Sequence, residues 1–93
     1  MSKVQSFIND LYRFSQERRY GDGMHFIDNN MDFLTHNKNW NEIDSILYNI
    51  DFNKINSELI KHIIRVLYNF EDNLIMKKDF ESRALDFYGK DKL

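Results

Sequence analysis

The sequence predicts an all-α protein, a compact antiparallel multi-helical domain with about five helices. Three observations carry this. Apolar side chains return every three or four residues along most of the chain, the spacing that lines one side of an α-helix. Proline is absent, and the polar breaks between periodic segments are as short as those that join neighbouring helices. The alternating polar and apolar runs that a half-buried strand requires are brief.

The first helix is expected from Ser2 to about Glu17. Ser2 and Gln5 stand at the cap and third positions of a capping box. Val4, Phe7, Ile8, Leu11 and Phe14 form its apolar side, with Arg13 and Glu17 spaced to pair on the other. Gly21 and Gly23 then mark an interhelical turn, with Asp22 opening the second helix. Met24, Ile27, Met31 and Leu34 give that helix its stripe, broadened by Phe26 and Phe33, and it ends between His36 and Asn39.

Asn39 with Glu42 reads as a second capping pair, so a third helix runs from about Trp40 to Asn49, burying Ile43, Ile46, Leu47 and Ile50. Residues 51–56 form a connector pinned by Phe52 and Ile55. Asn56 or Ser57 caps the fourth helix, whose Leu59, Ile60, Ile63, Ile64, Val66, Leu67 and Phe70 cover more than a narrow stripe. That breadth predicts a central helix contacted from two directions. After Glu71-Asp72-Asn73 a fifth helix spans Leu74 to Tyr88. It turns Met76, Phe80, Ala84, Phe87 and Tyr88 inward, sets Lys77/Glu81 and Asp79/Arg83 outward, and stops at Gly89. Glu71 and Asp72 suit the positive end of its dipole.

The 93 residues are read as one domain spanning 1–93. With no cysteine, disulfides, thiolate metal sites and cysteine catalysis are excluded within the chain. The formal net charge of -2 offers no general attraction to nucleic acid or anionic lipid. It is unevenly distributed: +2 over residues 1–21, -5 over 22–58 and +1 over 59–93. No apolar run reaches the eighteen or so residues of a membrane span, and no secretory leader pattern opens the chain, so a cytoplasmic location without membrane association is expected.

No nucleotide-binding glycine loop or ordered catalytic triad is present, and no cofactor is implied. His25, Asp28 or Asn29, Asp32 and His36 recur along one side of the second helix, as metal ligands would. A straight helix nevertheless separates the two histidines by about 16 Å, so both cannot hold one ion, and a solvated polar side is the simpler reading. The function expected is therefore a non-enzymatic protein-interaction or regulatory module, binding a protein partner or itself through an aromatic and acidic surface. The candidate interface residues are Trp40, Tyr48, Glu42, Asp44 and Asp51. Aromatic rings can anchor a partner, and carboxylates tune its orientation and association rate. The alternative is a nucleic-acid-binding protein using Arg13, Arg18, Arg19 and Tyr20, since phosphate contacts need positive donors and a ring can stack on a base. Against it, Arg18 and Arg19 also suit the carbonyl end of the first helix.

Overall fold

The computed structural model describes residues 2–70 and 73–93. The chain forms α1 (Lys3–Gln16), α2 (Tyr20–His36), α3 (Trp40–Asn49), a 3-10 turn (Phe52–Lys54), α4 (Ser57–Tyr68) and α5 (Leu74–Tyr88). No strand occurs among the described residues. The helical fold class holds, and the radius of gyration of 12.2 Å is that of a globular chain of this length.

Ser2 caps α1 by accepting the Gln5 amide at 3.1 Å, and Phe7, Ile8, Leu11 and Phe14 are buried. The expected Arg13/Glu17 pair does not form. Arg13 instead reaches back to Asp10 at 3.4 Å and Glu17 binds Arg19 at 3.0 Å. The α1–α2 turn also differs from the sequence reading, because it is made by Arg18 rather than by the glycines. Arg18 adopts a left-handed backbone with φ 57°, a conformation that costs a non-glycine residue roughly 1–2 kcal/mol. In return, the Arg19 amide reaches the Phe14 carbonyl at 2.8 Å and the Arg18 amide reaches Ser15 at 3.1 Å. These are the two bonds of a Schellman ending.

The α2–α3 turn repeats this geometry. Lys38 has φ 56°, and the Asn39 amide bonds to Leu34 at 2.9 Å and the Lys38 amide to Thr35 at 3.1 Å. Asn39 occupies the cap position of α3, but its side chain makes no capping bond, so the Asn39/Glu42 pairing is not realised.

Gly21 and Gly23 lie inside the first turn of α2. Gly23 serves close packing: a Cβ there would sit 2.8 Å from one Leu59 methyl, 3.1 Å from the other and 3.3 Å from the Phe14 Cβ. Around Gly21 a Cβ would meet nothing within 4 Å. Along α2, Ile27, Met31 and Leu34 are buried and Phe26 stacks on Phe7 at 5.0 Å. Phe33 does not broaden the inner side. It is 64% exposed, because its position falls away from the stripe through Met31 and Leu34.

α4 is capped by Asn56, which accepts the Glu58 amide at 2.8 Å. It buries Leu59, Ile60, Ile63, Val66 and Leu67 between α2 on one side and α5 on the other, the central role its sequence predicts. The connector is tied down on two sides. From α1, Tyr12 Oη accepts the Asp51 amide at 2.9 Å and Ser15 Oγ accepts the Asn56 amide at 2.7 Å. From α5, the Tyr88 hydroxyl reaches the carbonyls of Phe52 at 3.2 Å and Ile55 at 2.8 Å. Phe52 also packs against the rings of Phe80, Phe87 and Tyr88 at 5.5–5.8 Å.

In α5, Phe80 and Ala84 are buried and Gly89 ends the helix at φ 89°. Lys77 is the exception to the sequence reading. It is only 1% exposed, with Nζ 5.9 Å from the centre of the Tyr68 ring, rather than on the wet side. Asp79 and Arg83 pair at 3.1 Å as expected. The acid pair Glu71/Asp72 lies outside the described residues.

Two predictions follow from this packing. Gly23→Val should lower stability by about 2 kcal/mol through overpacking against Leu59, whereas Gly21→Ala should raise it by up to about 0.5 kcal/mol; thermal melts of the two variants check the opposite signs. Tyr88→Phe should cost about 1 kcal/mol, seen as a drop in Tm of about 4–8 °C. Burial, and secondarily the nearby Asp51 carboxylate, push the Tyr88 hydroxyl pKa far above the ordinary tyrosine range. Below about pH 10 both folded and unfolded chains keep that proton; above it the unfolded chain alone releases it. Stability should therefore fall as pH rises past about 10, and less steeply in Tyr88→Phe, as denaturant titrations at a series of pH values will show.

Candidate functional site

Two helix starts converge on one groove. Trp40, Asn41 and Asp44 of α3 form one wall, and Leu74, Ile75, Met76 and Asp79 of α5, with Asn73 before them, form the other. The groove is open to solvent and encloses about 760 Å³, within the size range of ligand-binding clefts. Each wall is a helical ridge of the same pattern. A bulky apolar residue, Trp40 or Ile75, is followed four residues later by a carboxylate, Asp44 or Asp79, on the next turn of the same side.

Ile75 is 87% exposed and Leu74 49% exposed. In the same turn, Lys77 is buried beneath the Tyr68 ring. The opening of α5 thus presents Leu74 and Ile75 outward and Lys77 inward, with Met76 half-buried against the core. Asp79 shares its carboxylate with Arg83 at 3.1 Å, while Asp44 is exposed and makes no hydrogen bond or ion pair among the described residues.

Of the interface candidates read from the sequence, Trp40 and Asp44 belong to this groove. Glu42 does not: it borders a separate polar depression with Lys38, Asn39, Trp40 and Asn41. Tyr48 is 77% exposed and lies outside the groove lining. Asp51 is occupied locally, since its carboxylate accepts the Asn53 amide at 3.0 Å and the Asn53 side chain at 3.1 Å, capping the 3-10 turn. Leu74, Ile75, Met76 and Asp79 were not anticipated. A signal was present, however: three consecutive apolar residues at a helix start cannot all point to one side, so at least one must face solvent.

The arginine cluster has a different organisation from the one nucleic-acid binding requires. Arg13 and Arg19 both approach the Phe14 ring, each 5.1 Å from its centre. Arg13 is paired with Asp10, and Arg19 with Asp22 at 2.9 Å and Glu17 at 3.0 Å. The hydrogen bonds to Asp22 first and Glu17 second raise the Arg19 pKa further. Of the three arginines, only Arg18 makes no ion pair among the described residues, and Tyr20 is half-buried against the core.

Two of the three histidines, His36 and His62, are also engaged. His62 Nε2 lies 2.7 Å from Asp28 Oδ1, joining α4 to α2. His36 Nδ1 is 2.8 Å from the Asp32 carbonyl and 3.2 Å from its carboxylate. Among the described residues no three histidine, aspartate or glutamate side chains converge into a set that could hold a metal ion. No described helix is long and apolar enough to cross a membrane.

No known family model matches the chain, and no curated protein or solved structure matches it significantly.

Replacing Ile75 should cost the fold nothing. Ile75→Asp places a carboxylate in the first turn of α5, where the helix dipole favours it. Its stability should stay within about 0.5 kcal/mol of the parent chain in denaturant titration.

Proposed function

We propose that this chain is a non-enzymatic protein-interaction module whose α3–α5 groove takes a protein partner. The observation that carries the reading is the inverted first turn of α5. Ile75 and Leu74 are solvent-exposed beside Trp40 while Lys77 is buried. A sequence selected for stability alone would place these residues the other way round, and departures from that consistency concentrate at functional sites. Apolar side chains gathered with a tryptophan and rimmed by carboxylates match the anatomy of a recognition hot spot, a desolvated anchor inside a polar border. Asp28 and Asp32 of the two histidine–aspartate pairs border one open depression with Asn29, Val66, Asn69 and Phe70, a lining that holds no hydroxyl or thiol side chain. The ion pairing of Arg13 and Arg19 favours the groove over the nucleic-acid reading.

The test is paired capture from the native source, with a photo-crosslinking side chain at position 41 on the groove wall. The parent chain should crosslink to a defined partner, and Ile75→Asp and Trp40→Ala should lose that product while retaining helix content. Capture unaffected by both substitutions would remove the groove from the function.

A further inference from the structure

Resting on that reading, we infer that the groove receives a basic amphipathic helix of the partner, its apolar side against Trp40, Leu74, Ile75 and Met76 and a lysine or arginine on Asp44. Three features of the groove select this occupant. Both walls are helical ridges with four-residue spacing, Trp40/Asp44 and Ile75/Asp79. The channel between two such ridges is the shape into which a third helix packs. A peptide that binds by adding a strand would need an unpaired strand edge to supply main-chain hydrogen bonds, and the described residues contain no strand.

The charge is one-sided. The lining holds two carboxylates and no cationic side chain. Asp79 is already shared with Arg83, but Asp44 has no hydrogen-bond or ion-pair partner among the described residues. An acidic partner would bring like charges together at this rim, whereas a basic one completes it. The Trp40 ring borders the same space, and a cation over an indole face gains a further attraction. The groove of a second copy, meeting this one about a two-fold axis, is a poorer complement, because it repeats the same acidic rim.

Trp40 is the one tryptophan of the chain, so its fluorescence reports directly on the groove. The full chain is titrated with a leucine/lysine amphipathic helical peptide of about four turns, lacking tryptophan and tyrosine, and with its leucine/glutamate counterpart. The leucine/lysine peptide should shift Trp40 emission saturably, more weakly as salt is raised. Asp44→Lys and Ile75→Asp should each weaken binding by about tenfold or more, Phe33→Ser should leave it unchanged, and the glutamate peptide should give no shift. Circular dichroism of each variant separates lost binding from lost folding.

Equal binding of the two peptides, or an Asp44→Lys variant that binds as the parent does, overturns the assignment. So does a dimer that Ile75→Asp dissolves, since the occupant is then a second copy. Partner capture that depends on Ile75 with no response to the leucine/lysine peptide overturns the basic-helix assignment while leaving the interaction reading standing. Loss of both removes the two together.

Discussion

How closely α2 can approach α4 decides much of the architecture. At Gly23 the two helices leave no room for a side chain, because the Leu59 methyls occupy the place where a Cβ would project. Helix α2 therefore runs through its glycines from Tyr20, and the reversal from α1 must be completed by Glu17, Arg18 and Arg19. Further along the same pair, the His62–Asp28 bond joins α4 to α2 at the surface. The relative weights of these interactions are clear. A fully buried leucine or isoleucine contributes about 1.5–3 kcal/mol, and Leu59, Ile60 and Ile63 are all at 0% exposure. Exposed ion pairs such as Arg13–Asp10 contribute about 0–1 kcal/mol each, so apolar packing around α4 sets the arrangement and the charged pairs follow it.

With α4 occupied by α2 on one side, α5 closes the other with little apolar material. Its buried set is Phe80, Ala84 and Lys77. Much of its attachment comes instead from the C-terminal turns, where Phe87 and Tyr88 surround Phe52 and the Tyr88 hydroxyl holds the connector carbonyls. The N-terminal turn is then free to put Leu74 and Ile75 into solvent. The groove thus lies over the outward side of the first turn of α5, so a partner could cover Leu74 and Ile75 without repacking Ile60, Ile63 or Phe80.

Features governed by neighbouring residues were legible in the sequence. Ser2, Asn56 and Gly89 act within a turn or so of themselves, and each performs the terminal role its residue type suggests. The breadth of the α4 apolar face announced its central position. The αL residues were not legible, since Arg18 and Lys38 carry no intrinsic preference for positive φ and adopt it because the helices on either side demand it. Lys77 escaped for a related reason: its burial depends on neighbours from outside its own helix, among them the Tyr68 ring of α4 at 5.9 Å. At the groove, Trp40 was legible as an amphipathic ring and Asp44 as an acid of the negatively charged middle segment, and their places on successive turns of one side set both on the same wall. Glu42, two residues from Trp40, is turned about 200° around the helix and borders a different surface. The local engagement of Asp51 with the Asn53 amide and side chain is invisible to charge patterning.

The arginine cluster and the groove show why charge along the chain is a poor guide to the charge a partner meets. Residues 1–21 carry an excess of +2, yet Arg13 and Arg19 lie against Phe14 with carboxylates already at hand. A phosphate arriving there meets Asp10, Glu17 and Asp22 beside the same guanidinium groups, and their negative charge offsets part of the attraction. Asp44 has no such competitor. A cation arriving at its carboxylate gives up only water, and it does so beside apolar side chains that gain from being covered at the same time. Coupling an unopposed charge to exposed apolar area on two helix faces is what distinguishes the α3–α5 groove from the arginine cluster.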